Sequence, residues 1–247
     1  MRSVIMEEPG KVVVEDRPMP TLLESTDAVI KLAASCICGS DLWPYRGAQP
    51  EPVDHQQMGH EYIGEVIEVG DDVKTVKPGD FVVGSFCISC GECATCQDGY
   101  PSRCLKAIAA GDGFIGMRSN GTQAEYARIP FADGTLVKTP AYPTAEQIPH
   151  LMAASDVLGT GWYAADAAKA GPGKAIVVVG DGAVGLGAVI GAKQLGAEKI
   201  IMMSRNPKRQ ELAKQFGATH VVEERGEEGI AKVLELTDGV GAHGVVE

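Results

Sequence analysis

No window of the sequence approaches the roughly 20 consecutive apolar residues of a membrane-spanning helix, which excludes a helical membrane protein. Basic residues are scarce: 22 Lys and Arg against 33 Asp and Glu leave a net charge of −11 and a pI near 5.0. So acidic a chain offers no general nucleic-acid surface and reads as an ordinary soluble protein. The opening Met1-Arg2-Ser3-Val4-Ile5-Met6-Glu7-Glu8 meets charge too early for the apolar stretch of a secretory leader. With no leader, an odd and clustered set of 7 cysteines favours reduced thiols and metal over disulfides, and the expected compartment is cytoplasmic. What is present is 247 residues at 45% hydrophobic content, enough to bury one large domain or two ordinary ones.

The first half reads as β structure with tight turns. Lys11 to Glu15 and Asp27 to Leu32 are β-branched runs bounded by Pro, Gly or Asp. Tyr62 to Gly70 alternates with a strand's period, and its glycines suggest bends at barrel corners. Lys77-Pro78-Gly79-Asp80 is a turn before the strand Phe81 to Val83. Asn120 to Gln123 is a second turn, before a strand over Ala124 to Ile129. Short strands at this spacing favour a small barrel.

Two stretches carry metal chemistry. In the first, Cys90, Cys93, Cys96 and Cys104 form C-x2-C-x2-C-x7-C. Four thiolates so close cannot all pair as unstrained local disulfides, but they can wrap one tetrahedral ion. Structural zinc is the favoured reading; an iron–sulfur cluster, which also uses four Cys, and a redox thiol cluster are the competitors. Cys36 and Cys87 stand outside the pattern as free, partly buried thiols. In the second stretch, Cys38-Gly39-Ser40-Asp41 and Met58-Gly59-His60-Glu61 crowd a thiol, a hydroxyl, carboxylates and an imidazole into one span. Catalytic zinc takes three protein ligands and keeps a position open, and Cys38 and His60 could supply two. The competing reading is a buried thiol in a strand turn and a surface imidazole.

Pro140, Pro143 and Pro149 punctuate a linker-like segment, where the texture changes to alternating helix and strand. The domains are therefore expected at 1–150 and 151–247. A helix is expected over Thr160 to Ala170, and the buried strand Ala175 to Val179 follows. That strand runs into Gly180-Asp181-Gly182-Ala183-Val184-Gly185, a G-x-G-x-x-G turn before a helix over Leu186 to Leu195. In this context the glycines allow a tight turn and close approach of a pyrophosphate, and the helix N-terminus favours its charge. Strands over Lys199–Met203, His220–Val222 and Gly244–Val246, with helices over Pro207–Phe216 and Glu227–Leu236, continue the βαβ series.

In this order, Cys38-Gly39-Ser40-Asp41, Gly59-His60-Glu61, the four-Cys loop and Gly180 to Gly185 resemble the medium-chain, zinc-dependent alcohol dehydrogenase family over essentially the whole chain. The resemblance implies an α/β plus β architecture: a GroES-like β-barrel catalytic domain followed by a Rossmann dinucleotide-binding domain. It implies a catalytic zinc on Cys38 and His60, Asp41 as a carboxylate on the far side of the imidazole that fixes its tautomer, and Glu61 as a carboxylate able to approach the metal. Many members place a third ligand, a Cys, at the head of the helix entering the cofactor domain. Here Asp156 stands in that segment and resembles the aspartate of some bacterial branches; its alternative role is an N-cap carboxylate. His150, nearby, reads as a linker surface residue. The implied reaction is hydride transfer between a small alcohol, or its aldehyde or ketone, and a nicotinamide, with Ser40 contacting the substrate oxygen and passing its proton on.

Two departures stand out. Trp43 occupies the place of a His that ends the proton relay in many relatives, so another group or water must serve. At the cofactor tip, Ser204 replaces the acid of NAD-binding members and Arg205 can fork onto a phosphate, which favours NADP over NAD. Arg209 fits either cofactor. Family analogy adds a homodimer or homotetramer for the full-length protein. The rivals are a zinc-stabilised, non-catalytic binding protein or truncated inactive homologue, a zinc-free quinone reductase, and a nucleic-acid-binding zinc ribbon, the last disfavoured by acidity. The chain stops at what reads as the fourth strand of a normally six-stranded sheet. The expectation is a C-terminal truncation that lacks the second half of the Rossmann sheet and leaves the 247-residue form inactive or severely impaired.

Overall fold

The strand periodicity of the first half becomes two antiparallel sheets. The computed structural model describes residues 1–49, 54–111, 113–116 and 121–247. Strands β1 (Arg2–Glu8), β2 (Lys11–Asp16) and β4 (Gln56–Gln57) form a small sheet in the order β2-β1-β4. Strands β3 (Ala28–Ser35), β5 (Tyr62–Val69), β6 (Phe81–Gly84), β7 (Tyr126–Ile129) and β8 (Leu136–Lys138) form a larger one in the order β7-β3-β5-β6-β8. The bend expected at Gly64 falls beside the slip in β3–β5 register between Leu32 and Ala34. Ile30, Tyr62, Val66, Val82, Ile88 and Ile129 are buried in one apolar cluster, on which the cysteines of the loop also pack. In the turn expected at Asn120 to Gln123, Asn120 lies outside the described residues; the others lead to Ala124, which bridges Ser3 before β7 begins.

The Pro-rich segment is more ordered than its composition suggests. Ile148–Met152 is helical, and Ile148, Leu151 and Met152 pack on Ile63 and Phe81. Burial of these apolar side chains draws the segment onto the first unit despite its prolines. The chain divides into Met1–Ser155 and Asp156–Glu247.

The second unit is a parallel sheet of β9 (Ala175–Val179), β10 (Lys199–Met203), β11 (His220–Val222) and β12 (Gly244–Val246), in the order β11-β10-β9-β12. This is the 3-2-1-4 half of a doubly wound fold, with the strand order reversing beside β9. Two expected helices start early: Val157–Ala167 instead of Thr160 onward, and Ala183–Gln194 instead of Leu186 onward. Inside the two helices, Gly161 and Gly187 are bare where the partner helix comes close. A Cβ on Gly161 would stand 2.4 Å from the Ala188 nitrogen and the Val184 oxygen, and one on Gly187 would stand 2.9 Å from the Val157 oxygen. Close backbone packing outweighs the roughly 1 kcal/mol propensity cost of a helical glycine.

Candidate metal centre and cofactor cradle

Beyond Ser35, the end of β3, the backbone curls through the turn Gly39–Asp41. The turn is closed by the Cys38 backbone N–H, which donates to Asp41 Oδ2 at 2.8 Å. His60 enters from the neighbouring segment just before β5, after Gly59 at φ +99. Asp41 is buried, and its Oδ1 lies 3.6 Å from His60 Nδ1; Ser40 Oγ lies 3.4 Å from Nε2. A carboxylate behind Nδ1 favours the neutral tautomer that carries its proton there, leaving the Nε2 lone pair for a cation.

Glu61, only 3% exposed, completes this cluster: donor atoms of Cys38, His60 and Glu61 lie within 4.8 Å of one another. Burial pushes the Cys36 and Cys38 thiols up, and the Glu61 carboxylate adds to the effect, while hydrogen bonds from Ser40 work against it at Cys38. A cation among these donors would turn the mutual repulsion into attraction. Thiol, imidazole and carboxylate are a donor set that zinc accepts, so the residues fit that ion. Asp156 begins the second unit, at the head of the helix Val157–Ala167. Its carboxylate makes no capping bond to the backbone; Oδ1 accepts from Thr160 Oγ1 at 2.7 Å. His150 is exposed on the preceding helix, and Trp43 is exposed on Leu42–Tyr45.

The four-Cys loop brings Cys90, Cys93, Cys96 and Cys104 together, one sulfur from each within 4.8 Å of the rest. Cys93 Sγ lies 3.5 Å from Cys96 Sγ and 3.9 Å from Cys104 Sγ. Sulfurs about 3.8 Å apart are the edges of a tetrahedron with roughly 2.3 Å zinc–sulfur bonds, so this set fits zinc too. None of the seven cysteines is in a disulfide. Backbone N–H groups of Cys90 and Ala107 point at Cys104 Sγ, and that of Cys93 at Cys90 Sγ. A hydrogen bond from Thr95, then one from the Cys96 backbone, holds the Cys93 thiol down at about 5, so a thiolate is already favoured there.

In the second unit, Gly180 sits at φ +104 in the turn after β9, and a Cβ at Gly180 or Gly182 would meet nothing within 4 Å. That open space faces the head of the 12-residue helix Ala183–Gln194. At Gly185 the requirement is different: a Cβ would lie 1.9 Å from the Gly180 oxygen. Bare backbone before a helix N-terminus fits a pyrophosphate.

Comparison with known proteins points to one family. The family described as "Alcohol dehydrogenase GroES-like domain" matches residues 24–141, and "Zinc-binding dehydrogenase" matches residues 183–247. A medium chain reductase/dehydrogenase, ucsI, from an Acremonium species is 36% identical over all of this chain and 85% of its own length. The chain belongs to the medium-chain zinc-dependent alcohol dehydrogenase family. Zinc-type alcohol dehydrogenase B of Aspergillus flavus is 40% identical over the whole chain, which spans 58% of that relative's length. The zinc dependent alcohol dehydrogenase 2 structure from Streptococcus pneumonia superposes with a TM-score of 0.86 at 34% identity, covering 98% of this chain and 67% of that one. The fold is that of this family, a GroES-like domain followed by a Rossmann domain.

One residue of this candidate cradle carries no motif of its own in the sequence. Asp181, the variable residue between the first two glycines, accepts from Ser204 Oγ at 2.7 Å and from Arg209 Nη1 at 2.9 Å. Arg209 is therefore tied to a carboxylate, and Ser204 is wholly buried against it. Asn206 caps the helix Pro207–Phe216 through the N–H groups of Lys208 and Arg209, and Arg205, just before it, is exposed. The sequence holds an acid in the turn, a hydroxyl just after the next strand and a cation in the helix beyond, but no single-window pattern joins them.

Proposed function

We propose that the chain carries the metal and cofactor sites of an alcohol dehydrogenase that moves a hydride between a small alcohol, or its aldehyde or ketone, and NADP(H). The observation that supports this most is the meeting of Cys38, His60 and Glu61 beside a buried Asp41. Cys38, His60 and Asp156 would hold the catalytic zinc, and Cys90, Cys93, Cys96 and Cys104 a structural one. Zinc in the first site supplies a Lewis acid for the substrate oxygen, and the nicotinamide supplies or accepts the hydride.

The remaining work falls to the chain's own groups. Ser40 Oγ receives the proton of the substrate hydroxyl and passes it to solvent, since Trp43 carries no transferable proton in place of an imidazole. Asp41 keeps the His60 proton on Nδ1. Glu61 is the reserve carboxylate at the site. The amides of Ala183, Val184 and Gly185, with the bare backbone of Gly180 and Gly182, cradle the pyrophosphate. Arg205 binds the 2′-phosphate beside the uncharged Ser204, while Arg209 is held by Asp181. Domains over 1–150 and 151–247, a cytoplasmic setting and a homodimer or homotetramer belong to the same reading. Among the described residues no helix is long and apolar enough to cross a membrane.

Calorimetric titration of the zinc-loaded chain with NADPH and NADH, followed by a panel of alcohols and aldehydes with each, tests the reading. Binding of NADPH above NADH is expected, and any turnover in the panel would identify the substrate class. A chain with full zinc content that binds neither nucleotide would favour the zinc-stabilised, non-catalytic protein.

A further inference from the structure

We infer that Gln123 is a positioning residue of the proposed catalytic metal site, joining the two segments that bring its ligands. The inference rests on the reading of Cys38 and His60 as ligands, and it assigns a role to a residue that the sequence places only in a turn.

Gln123 holds one segment through its backbone and the other through its side chain. Its backbone N–H donates to the Met58 carbonyl at 2.9 Å, and its own carbonyl accepts from the Val4 N–H at 2.9 Å. The Thr122 N–H donates to the Gly59 carbonyl at 3.0 Å. Residues 58 and 59, which lead into His60, are thereby laid against 122 and 123. The approach is so close that a Cβ on Gly59 would stand 2.5 Å from the Gln123 nitrogen and 2.7 Å from its Cγ.

The side chain reaches the opposite way. Nε2 donates to the Cys36 carbonyl at 3.1 Å and to Asp41 Oδ2 at 3.2 Å. Both partners are acceptors, which fixes the nitrogen end of the amide, and its two protons serve one partner each. Asp41 Oδ2 thus receives the Cys38 N–H and the Gln123 amide, while Oδ1 is left to face His60 Nδ1. With two donors on one oxygen, the carboxylate plane is set, and with it the direction in which the imidazole presents Nε2. Partners behind a ligating histidine typically change metal affinity by 10–100-fold, and Gln123 supports such a partner.

The test uses the full chain loaded with zinc, with metal removed by a chromophoric chelator to resolve two affinities, and cobalt(II) replacing zinc as a spectroscopic probe. Gln123→Met keeps length and volume but donates nothing; Gln123→Glu keeps shape but sets an acceptor against two acceptors. In both variants the ion on the four cysteines should stay at its wild-type affinity. The second ion should weaken by about tenfold in Gln123→Met, at the lower end of that range, and further in Gln123→Glu, with a changed cobalt d–d spectrum. Two ions of unchanged affinity and an unchanged cobalt spectrum in both variants would overturn the inference and leave the catalytic-site reading intact. So would a fall in the metal-free unfolding midpoint with no change in affinity, which marks a merely structural residue. A wild-type chain that takes up only the cysteine-bound ion would overturn the site and the inference together.

Discussion

Ser204 Oγ donates to Asp181 Oδ2 across 2.7 Å, so the end of β10 is fastened to the turn after β9 by a neutral donor and a charged acceptor. Asp181 stands in the Gly-rich turn, where Arg209 compensates its charge at 2.9 Å. The hydrogen bond from Ser204, and then Arg209, hold the Asp181 carboxyl below its usual range. A depressed native pKa contributes stability above the unfolded value of about 3.9 and loses it as the pH falls through the native value. Asp181→Asn should therefore be less stable than wild type near neutrality, and the gap should narrow below about pH 4. Urea unfolding at pH 7 and at pH 3 to 4 checks this; a gap that widens on acidification would contradict it.

Arg205→Ala should erase most of a preference for NADPH over NADH. A guanidinium–phosphate contact contributes roughly 1.5–3 kcal/mol as a hydrogen bond to a charged group, about one to two decades of affinity. Arg209→Ala should have a smaller effect on that ratio, because its guanidinium already serves Asp181. Fluorescence titration of the two nucleotides into each variant gives the ratio, and equal losses in both variants would refute the division of labour.

Elemental analysis of the metal-loaded chain should find two zinc ions. Asp156→Ala should lose one and keep the other, and Cys96→Ser should lose the other together with much of the stability of the first unit, since structural zinc contributes folding free energy directly. If Asp156→Ala retained both ions, Asp156 would not be a ligand.

Gly59→Ala should be strongly destabilising. It places a side chain at φ +99 and drives a Cβ to 2.5 Å from backbone. A residue held in so sparse a region costs about 1–3 kcal/mol from backbone strain alone. A drop in the denaturation midpoint of that size or more is expected, accompanied by loss of the second zinc; a variant within 0.5 kcal/mol of wild type would show that the segment repacks freely.

Most of the architecture was legible because its signals are local. The unbroken β-branched run Ala175 to Val179 and the glycines that follow it define a strand and turn without tertiary information. So do the close spacing of Cys90 to Cys96 and the alternation along Tyr62 to Val69. What failed to show depends on partners distant in sequence. Ile148–Met152 looks like linker until Ile63 and Phe81 are beneath it. Gly161 and Gly187 fall inside the expected helices, but that each must be bare for the other helix to approach shows only in the fold. Gln123 looks like a turn residue, and only the fold brings its amide to Asp41, 82 positions away. The pairing of Asp181 with Ser204 and Arg209 is hidden in the same way, because no single-window pattern joins positions 23 and 28 residues apart.

The glycine contacts between Val157–Ala167 and Ala183–Gln194 have a mechanical meaning. One helix follows directly from Asp156, and the other begins at the Gly-rich turn with its first amides free of intrahelical partners. With backbone pressed on backbone at Gly161 and Gly187, there is no side-chain layer between them to shear. Asp156 and the free amides at the head of Ala183–Gln194 thus sit on one backbone-packed helix pair. Whatever displaces one helix carries the other with it, and a methyl group at position 161 would be felt at both ends.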